Sequence, residues 1–356
     1  MHDINQSNNR SRKFPIFAAL PMIALIFALV LGGCGKSGSE GASSRADSAA
    51  NGRVPSQNAQ EASHSNEQEI VIKHDYGEST IPANPKRIVS IGMEDMLLSL
   101  DVPLVQAFST DGYYLDAQIK EKGIPINSSF DINLEAIAAV DPDLIVMNTY
   151  MTDQSGYEQL SKIAPTIAFV RDNWQSAIVD IGRALGKEGQ ADALLQTYED
   201  KLKQARETIV QAVGRDKTVA FIRPSTKEVE LDFPEYAWTY ILYNELGLKP
   251  DPAVLEFQKN NKEDTWGGTM LSLEKLPELT ADYLFMDYGA SMANEAEFQQ
   301  DVAKASGVEQ LKVWKAIPAV AKGQAYKVSA RHWALNGPIA DEMKIDDIVN
   351  ILAANQ

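Results

Sequence analysis

The chain has 356 residues, a formal net charge of −16 and one cysteine. A surface this acidic argues against nucleic acid as a partner and against electrostatic attachment to an anionic membrane. A single cysteine forms no intramolecular disulfide bond, so packing must supply the stability of the folded part.

The first 33 residues have the features of an export signal. Three basic side chains precede an apolar run over residues 14–31, which ends in the sequence LGGC. A basic start, an apolar stretch and small residues before the cut are typical of a signal peptide, predicted here as residues 1–33. The modest length of the run and its two prolines argue against a permanent transmembrane helix.

The residue after the predicted cut is Cys34. LGGC followed by GKSGSEG resembles a bacterial lipoprotein box, in which this thiol receives a diacylglycerol. Two or more acyl chains, such as palmitate, anchor a protein stably where one does not. We therefore expect a lipid on Cys34 that holds the protein on the extracellular face of the cell membrane of a Gram-positive bacterium. An uncleaved anchor or a chance cysteine is the alternative.

Residues 34–66 are predicted to form a flexible tether. They are mostly Ser, Gly, Ala, Gln, Asn and Glu, with almost no large apolar side chain to bury. The folded part then begins near Glu67 and holds about 290 residues, which suits two lobes of about 130–150 residues better than one core. Loss of the signal removes three positive charges and one negative charge, so the mature net charge is −18.

Short apolar runs alternate with helical stretches in both halves of the folded part. The first half contains RIVSIG, LIVMN and TIAFV, and the second contains TVAFIR, DYLFMD and AYKVS. Continuous apolar strands separated by helices predict mainly parallel sheets covered on both faces. Between the halves, residues 188–213 carry apolar side chains at helical spacing and predict one long helix.

These patterns predict an α/β protein with two lobes. Each lobe has a mainly parallel sheet flanked by helices, and one long helix joins them. The predicted boundaries are 67–187 for the N-terminal lobe, 188–213 for the connecting helix and 214–356 for the C-terminal lobe. A ligand is expected in the crevice between the lobes, at the carboxyl ends of the strands.

One sequence pattern occurs twice. NLEAIAAVDPDLIVMN (133–148) and SLEKLPELTADYLFMD (272–287) share Leu-Glu at positions two and three, Asp at position eleven and Met at position fifteen. Each copy predicts a helix that leads into a strand, one copy in each lobe. The shared glutamates are Glu135 and Glu274, and each follows a residue that can cap a helix.

Residues 68–356 resemble the substrate-binding lipoproteins of ABC importers for iron–siderophore complexes, which are relatives of the vitamin B12 binding proteins. The resemblance implies a class III periplasmic binding protein, not an enzyme. It also implies a transported ferric siderophore without a cofactor, a permease dimer with its ATPase as partners, and a monomer. Asp101 departs from the pattern, since the family usually has Gly there. The motifs that carry the resemblance are IPANPKRIVSIG (81–92), NLEAIAAVDPDLIV (133–146), WGGTMLSLEKLPELTADYLFM (266–286) and RHWALNGP (331–338).

The family also suggests a role for the repeated glutamates. In its members, a Glu at this place in each lobe meets arginines of the permease, and the matching residues here are Glu135 and Glu274. Two carboxylates, one in each lobe, can contact a two-fold symmetric partner. The alternative is that each Glu only favours the first turn of a helix.

Ferric siderophores are bulky and rich in oxygen, so binding them calls for aromatic faces and arginine donors. Arg223 ends the strand TVAFIR at the expected cleft edge, and a salt bridge is its alternative role. Tyr150 follows LIVMN and matches a ligand-contacting tyrosine of the hydroxamate-binding members. Trp333 follows the last strand. Five weaker candidates, for which core or rim packing is the alternative, are Trp266, Arg331, Tyr113, Tyr114 and Trp238.

Rival functions are less well supported by the sequence. A related fold binds bare zinc or manganese through three histidines and a carboxylate, but only His74 and His332 remain in the predicted folded part, so no direct metal site is expected. No Gly-x-Ser-x-Gly, His-Glu-x-x-His or phosphate-loop motif appears, which leaves a lipid-anchored enzyme as a remote alternative.

The candidate residues also suggest a ligand type. Catecholate siderophores carry more negative charge and call for a cluster of basic residues, whereas the predicted cleft offers Arg223 with Arg331. A hydroxamate or citrate-type siderophore is therefore favoured. A catecholate, haem or vitamin B12 is the alternative ligand.

Overall fold

The computed structural model describes residues 69–262 and 267–354. The predicted signal peptide, Cys34 and the predicted tether lie outside the described residues, and so does Trp266. Within the described ranges, no helix is both long enough and apolar enough to cross a membrane.

The first lobe is built on a five-stranded parallel sheet with strand order β5-β4-β3-β6-β7. An antiparallel hairpin precedes it, formed by β1 (Glu69–His74) and β2 (Gly77–Pro82). Every residue of β3, β6 and β7 is buried, because helices cover both faces of the sheet. The strands of the sheet are β3 (Ile88–Ile91), β4 (Leu104–Phe108), β5 (Ile126–Asn127), β6 (Leu144–Asn148) and β7 (Thr166–Phe169).

Five α-helices connect and cover these strands. They are α1 (Glu94–Ser99), α2 (Asp116–Glu121), α3 (Leu134–Ala139), α4 (Gln154–Leu160) and α5 (Trp174–Ala184), with short 3-10 turns at Thr149–Met151 and Arg171–Asn173. Asp101, where the family usually has Gly, lies just after α1 with a φ of 51°. A left-handed residue at a helix end is the usual reason for Gly, and Asp tolerates that conformation.

A 26-residue helix, α6 (Glu188–Val213), follows α5 and precedes the second sheet. Its buried stripe is Ala191, Tyr198, Leu202, Ala205 and Ile209, at the helical spacing that the sequence shows.

The second lobe has a six-stranded sheet with the path β11-β9-β8-β12-β13, and β10 pairs with the start of β8. The pairs β10–β8, β8–β12 and β12–β13 are parallel, whereas β9 and β11 form an antiparallel edge. The strands are β8 (Thr218–Pro224), β9 (Glu228–Asp232), β10 (Lys249–Pro250), β11 (Gly268–Ser272), β12 (Tyr283–Tyr288) and β13 (Ala325–Ser329).

Helices also cover the second sheet. They are α7 (Pro252–Asn260), α8 (Glu295–Ser306), α9 (Lys312–Lys315), α10 (Pro318–Ala321), α11 (Ala330–Trp333) and α12 (Pro338–Ala353), with a π-helical turn at Ile241–Glu245 and 3-10 helices at Leu273–Glu278 and Gly307–Gln310. The second copy of the repeated pattern therefore forms a 3-10 helix rather than an α-helix. Pro277 lies inside it, lacks an N–H and disfavours α-helical backbone in the residue before it.

One apolar core continues through both lobes. It includes Leu97 and Ile178 of the first lobe, and Phe221, Phe285 and Trp333 of the second. Helix α12 packs against α6 and α1, so the last helix of the chain touches the connecting helix and the first lobe. The predicted fold class, two sheets flanked by helices and joined by one long helix, is confirmed.

Candidate ligand-binding cleft

An open cleft of about 1240 Å³ lies between the two sheets. From the first lobe it is lined where β3, β6 and β7 end, at Gly92, Asn148 and Val170. From the second lobe it is lined by segments that follow β9, β12 and α11. The cleft thus lies at the carboxyl ends of the parallel strands, where open α/β sheets bind their ligands.

Aromatic side chains from both lobes project into this cleft. Phe130, Tyr150 and Tyr240 line it while keeping 52%, 66% and 48% of their surface exposed. Tyr236 and Trp238 add two more rings, which are partly buried and 4.9 Å apart. Exposed rings gathered in one concave site are a common feature of ligand-binding surfaces.

Tyr150 lies at the cleft edge, as the sequence predicted. It belongs to the 3-10 turn after β6, and the side chain of Asn148 accepts a hydrogen bond from its N–H at 3.2 Å. Its hydroxyl donates to Asp172 at 2.9 Å. Partial burial, and then the negative charge of Asp172, raises the pKa of Tyr150 to about 12. Whether Tyr150 contacts a ligand stays a prediction.

Arg223 is held behind the cleft wall. Its Nε and Nη2 atoms donate to the buried carboxylate of Asp287 at 2.5–3.1 Å, and its guanidinium lies 4.6 Å from the ring centroid of Trp238. Trp238 lines the cleft and Arg223 does not. In this structure Arg223 therefore forms a half-buried salt bridge and supports a ring of the cleft, while direct ligand contact by Arg223 stays a prediction.

The prediction that Trp333 faces the cleft is wrong. Its side chain is 0% exposed and stacks between Phe221 and Phe285, with centroid distances of 5.2 and 5.9 Å. Its Nε1 donates to Asp347 at 2.8 Å. The reason is local, because α11 begins directly after β13 and turns this ring into the core beneath the sheet.

Arg331 does not line the cleft either, so its prediction as a cleft residue is wrong. Its buried guanidinium donates to Glu295 and to the carbonyl of Ala293, and it lies 4.2 Å from the ring centroid of Phe298. It also reaches the carbonyl of Asp111 in the first lobe at 3.5 Å. Arg331 thus braces the two lobes against each other.

Tyr113 and Tyr114 are likewise predicted wrongly as cleft residues. Tyr113 is buried, and its ring packs edge-on against Phe108 and Tyr114. The hydroxyl of Tyr114 donates to Asp95 at 2.7 Å and accepts from Arg171 at 2.7 Å. Both rings follow β4 in a loop that packs against the second lobe, which explains why they are absent from the cleft lining.

A buried polar network at the cleft floor joins the lobes. Arg171 donates to the carbonyl of Asn336 at 2.5 Å and to the carbonyl of Gly92 at 3.4 Å. Asp95 accepts from the N–H groups of Ile339 and Ala340, at 2.8 and 3.0 Å, in the first turn of α12. It therefore caps a helix of the other lobe.

The close approach of Asp95 explains why the RHWALNGP motif has a glycine at position 337. Gly337 precedes α12 with a φ of 152°, and a Cβ atom there would lie 2.5 Å from the Cγ atom of Asp95. Only Gly fits such a conformation at such a distance. Burial raises the pKa of Asp95 despite the neighbouring guanidinium of Arg171 and the hydrogen bonds.

Sequence reasoning missed several lining residues and the network. A signal for Tyr236 and Tyr240 was visible in YAWTY (236–240), where three aromatic residues occupy alternate positions. Phe130 and Asp95 had no local signal, because only the folded chain brings them to the cleft edge and to α12.

Glu135 and Glu274 are both exposed, each in the first turn of its helix. Asn133 caps α3 by accepting from the N–H of Ala136 at 3.0 Å. Within the described ranges, neither glutamate carboxylate has a hydrogen bond or an ion pair. Because α3 leads into β6, whose end lines the cleft, the start of α3 lies on the side where the cleft opens. Permease docking stays a prediction.

The two histidines of the folded part lie away from the cleft. His74 contacts Ser79 at 3.0 Å in the first hairpin, and His332 contacts Asp347 at 2.8 Å beside α12. Among the residues that the structure describes, no group of three or more His, Cys, Asp or Glu side chains is arranged to hold a metal ion.

Comparison with known proteins shows that the chain is similar to binding proteins. The chain matches the family described as "Periplasmic binding protein" over residues 96–331. It is 29% identical to the probable siderophore-binding lipoprotein YfiY of Bacillus subtilis, over 78% of this chain and 86% of the relative. It is 27% identical to the iron(3+)-hydroxamate-binding protein FhuD of Bacillus subtilis, over 80% of this chain and 86% of the relative.

A solved structure shows the same fold. It is a periplasmic binding protein component of a Fep/Fec-like ferrichrome ABC transporter from Bacillus subtilis, with a TM-score of 0.65 and 26% identity. The match covers 79% of this chain and 99% of that one. Since the family match spans well over half of the sequence and the fold agrees, the chain belongs to the periplasmic binding protein family.

Proposed function

We propose that this protein is the substrate-binding component of an ABC importer and captures a ferric siderophore of hydroxamate or citrate type in its cleft. One observation carries the proposal: a cleft of about 1240 Å³ is lined by exposed aromatic rings from both lobes. Pockets for drug-sized molecules measure roughly 300–1000 Å³, so this cleft suits a bulky chelate rather than a bare ion. The names of the relatives support the same ligand class.

The ligand is transported and not converted, so we infer a binding role without catalysis and without a cofactor. Tyr150 and Trp238 are proposed ligand contacts, joined by Phe130 and Tyr240. Arg223 is proposed to fix the Trp238 ring. The division into lobes at 67–187 and 214–356 is part of the proposal.

Delivery is proposed to involve a permease dimer and its ATPase. A lipid on Cys34 would hold the monomer at the extracellular face of the membrane, near that permease. Glu135 and Glu274 are proposed to meet the permease, since both carboxylates are exposed and free of ion pairs in the described part of the chain.

Tryptophan fluorescence tests the ligand class. Trp174 and Trp238 line the cleft, so a ferric chelate that enters it should quench their emission. The detergent-solubilised mature protein would be titrated with ferric hydroxamates, ferric citrate, a ferric catecholate, haem and vitamin B12. Saturable quenching by a hydroxamate or citrate complex is expected, and binding of haem or vitamin B12 alone would contradict the proposal.

A further inference from the structure

The charges that line the cleft are mostly negative. The ionisable acids and bases of the lining are Arg171, Asp172, Glu235, Glu245 and Asp341. Asp341 is paired with the buried ammonium of Lys344 at 2.9 Å. Arg171 is 5% exposed, and its three nitrogens bond to Asn336, Gly92 and Tyr114.

A further cation, Arg223, contacts the cleft ring of Trp238 and is also paired. Arg223 is bound by Asp287 on two sides, and Glu230 and Asp232 lie close by on β9. Burial, and then the charge of Glu230, raises the pKa of Asp232. The described cleft therefore offers no unpaired cation to an anionic chelate.

Asp172 is the best-placed free carboxylate in this lining. Its Oδ2 accepts from the hydroxyl of Tyr150 and its Oδ1 accepts from the Nδ2 of Asn336, both at 2.9 Å. These donors are neutral and come from the two lobes. Asp172 is exposed, and no ion pair involves it among the residues that the structure describes. A carboxylate has about four acceptor positions, so about two remain for a ligand.

We propose that the cleft selects ferric chelates that carry a positive charge, and that Asp172 receives the cationic group of the ligand. This inference rests on the proposed function and narrows its ligand class. A primary ammonium group donates up to three hydrogen bonds and pairs strongly with an oriented carboxylate. An anionic chelate would instead bring like charges together at Asp172 and Glu235, which disfavours it.

A matched pair of ligands tests the proposal. Ferrioxamine B is a ferric trihydroxamate with a terminal ammonium group, and its N-acetyl derivative is the same chelate without that charge. The detergent-solubilised mature protein would be titrated with each at pH 7, in low and in high salt. We expect ferrioxamine B to bind about tenfold more tightly at low salt, and the preference to shrink at high salt as screening increases.

Substitution of Asp172 tests whether this residue causes the preference for the positively charged chelate. Asp172→Asn keeps the size of the side chain and removes its charge, so the preference should fall to about twofold or less. Asp192→Asn makes the same change on the exposed surface of α6, outside the cleft lining, and should keep the full preference. Circular dichroism would verify that both variants are folded.

The outcomes separate this inference from the proposed function. Equal affinity of the wild-type protein for the two chelates overturns the selection for positive charge, and a preference that survives Asp172→Asn overturns the role of Asp172; siderophore binding stands in both cases. Ferric citrate that binds as tightly as ferrioxamine B overturns it as well. If no ferric chelate binds, the proposed function fails and this inference fails with it.

Discussion

Asp95 joins the two lobes through contacts that substitution can remove separately. Its carboxylate accepts from the N–H groups of Ile339 and Ala340 and from the hydroxyl of Tyr114, and it faces the guanidinium of Arg171. Asp95→Ala leaves the two N–H groups and the Tyr114 hydroxyl without this acceptor in a buried place. Asp95→Asn keeps the size of the side chain and one acceptor oxygen. Its NH₂ group replaces the other oxygen, cannot accept a hydrogen bond and therefore faces donors that lose their acceptor.

The structure sets the expected magnitude. Loss of a helix N-cap costs about 1 kcal/mol, and a buried donor left without its partner costs about 1–3 kcal/mol. Burial raises the pKa of Asp95, so desolvation of its carboxylate offsets part of the stability that these contacts contribute. We therefore expect Asp95→Ala to lower the free energy of unfolding by about 3 kcal/mol and Asp95→Asn by about 2 kcal/mol.

Urea unfolding at pH 7, followed by far-ultraviolet circular dichroism, measures this difference. The midpoint should fall with little change in the slope, which would indicate lost stability rather than a different unfolded state. Asp192→Asn on the exposed side of α6 serves as the control and should change stability by less than about 0.5 kcal/mol. If Asp95→Ala unfolds at the wild-type urea concentration, the cap on α12 is not what joins the lobes.

Four further predictions follow from single features. Burial raises the pKa of Glu245 to about 7. The folded protein therefore holds a proton on Glu245 that the unfolded chain releases near pH 4.5. The free energy of unfolding should accordingly fall as the pH rises between these two values. Glu245→Gln should flatten this fall by about 1–3 kcal/mol in urea unfolding at pH 5 and pH 8; an unchanged pH profile would assign the fall to other groups. Trp238→Ala should weaken binding of a ferric hydroxamate about tenfold by calorimetry, through the loss of a ring in the cleft, and an unchanged Kd would place the ligand elsewhere. Cys34→Ala should move the protein from the membrane fraction to the medium or leave it unprocessed, whereas continued labelling with palmitate would contradict lipidation of this residue. Glu135→Ala and Glu274→Ala should each leave siderophore affinity unchanged and impair uptake of the labelled complex, and the double variant should be at least as impaired. Intact uptake in the double variant would mean that both glutamates only stabilise the first turn of their helices.

The fold was predictable because strands that are buried on both faces of a sheet consist mainly of apolar residues. The sheet strands of the first lobe that are buried on both faces, such as β6 and β7, read as unbroken apolar runs. The stripe on α6 likewise follows from helical spacing alone. The antiparallel pair formed by β9 and β11 was less evident, since their sequences, EVELD and GTMLS, mix polar with apolar residues instead of forming an apolar run.

The cleft was predictable only in part, because position after a strand does not fix the direction of a side chain. Tyr150 and Trp333 both follow a strand, yet one projects into the cleft and the other lies in the core. The difference arises from the turn that follows each strand, a 3-10 turn in one case and α11 in the other. Contacts such as that between Asp95 and Ala340 join residues 245 positions apart, and no local pattern reveals them.

The links between the lobes bear on how a permease would recognise the loaded protein. A continuous apolar core, the cap that Asp95 provides to α12 and the bond of Arg331 to Asp111 in the first lobe all resist a change in the angle between the sheets. Interfaces packed in this way allow small shear movements rather than wide hinge opening. The separation of Glu135 and Glu274 would then change little on binding, so in the proposed docking the two carboxylates would set the same orientation in both states. Discrimination of the loaded state would in that case come from the cleft rim, where Tyr150 and Tyr240 are exposed and a ligand bound as proposed would cover them.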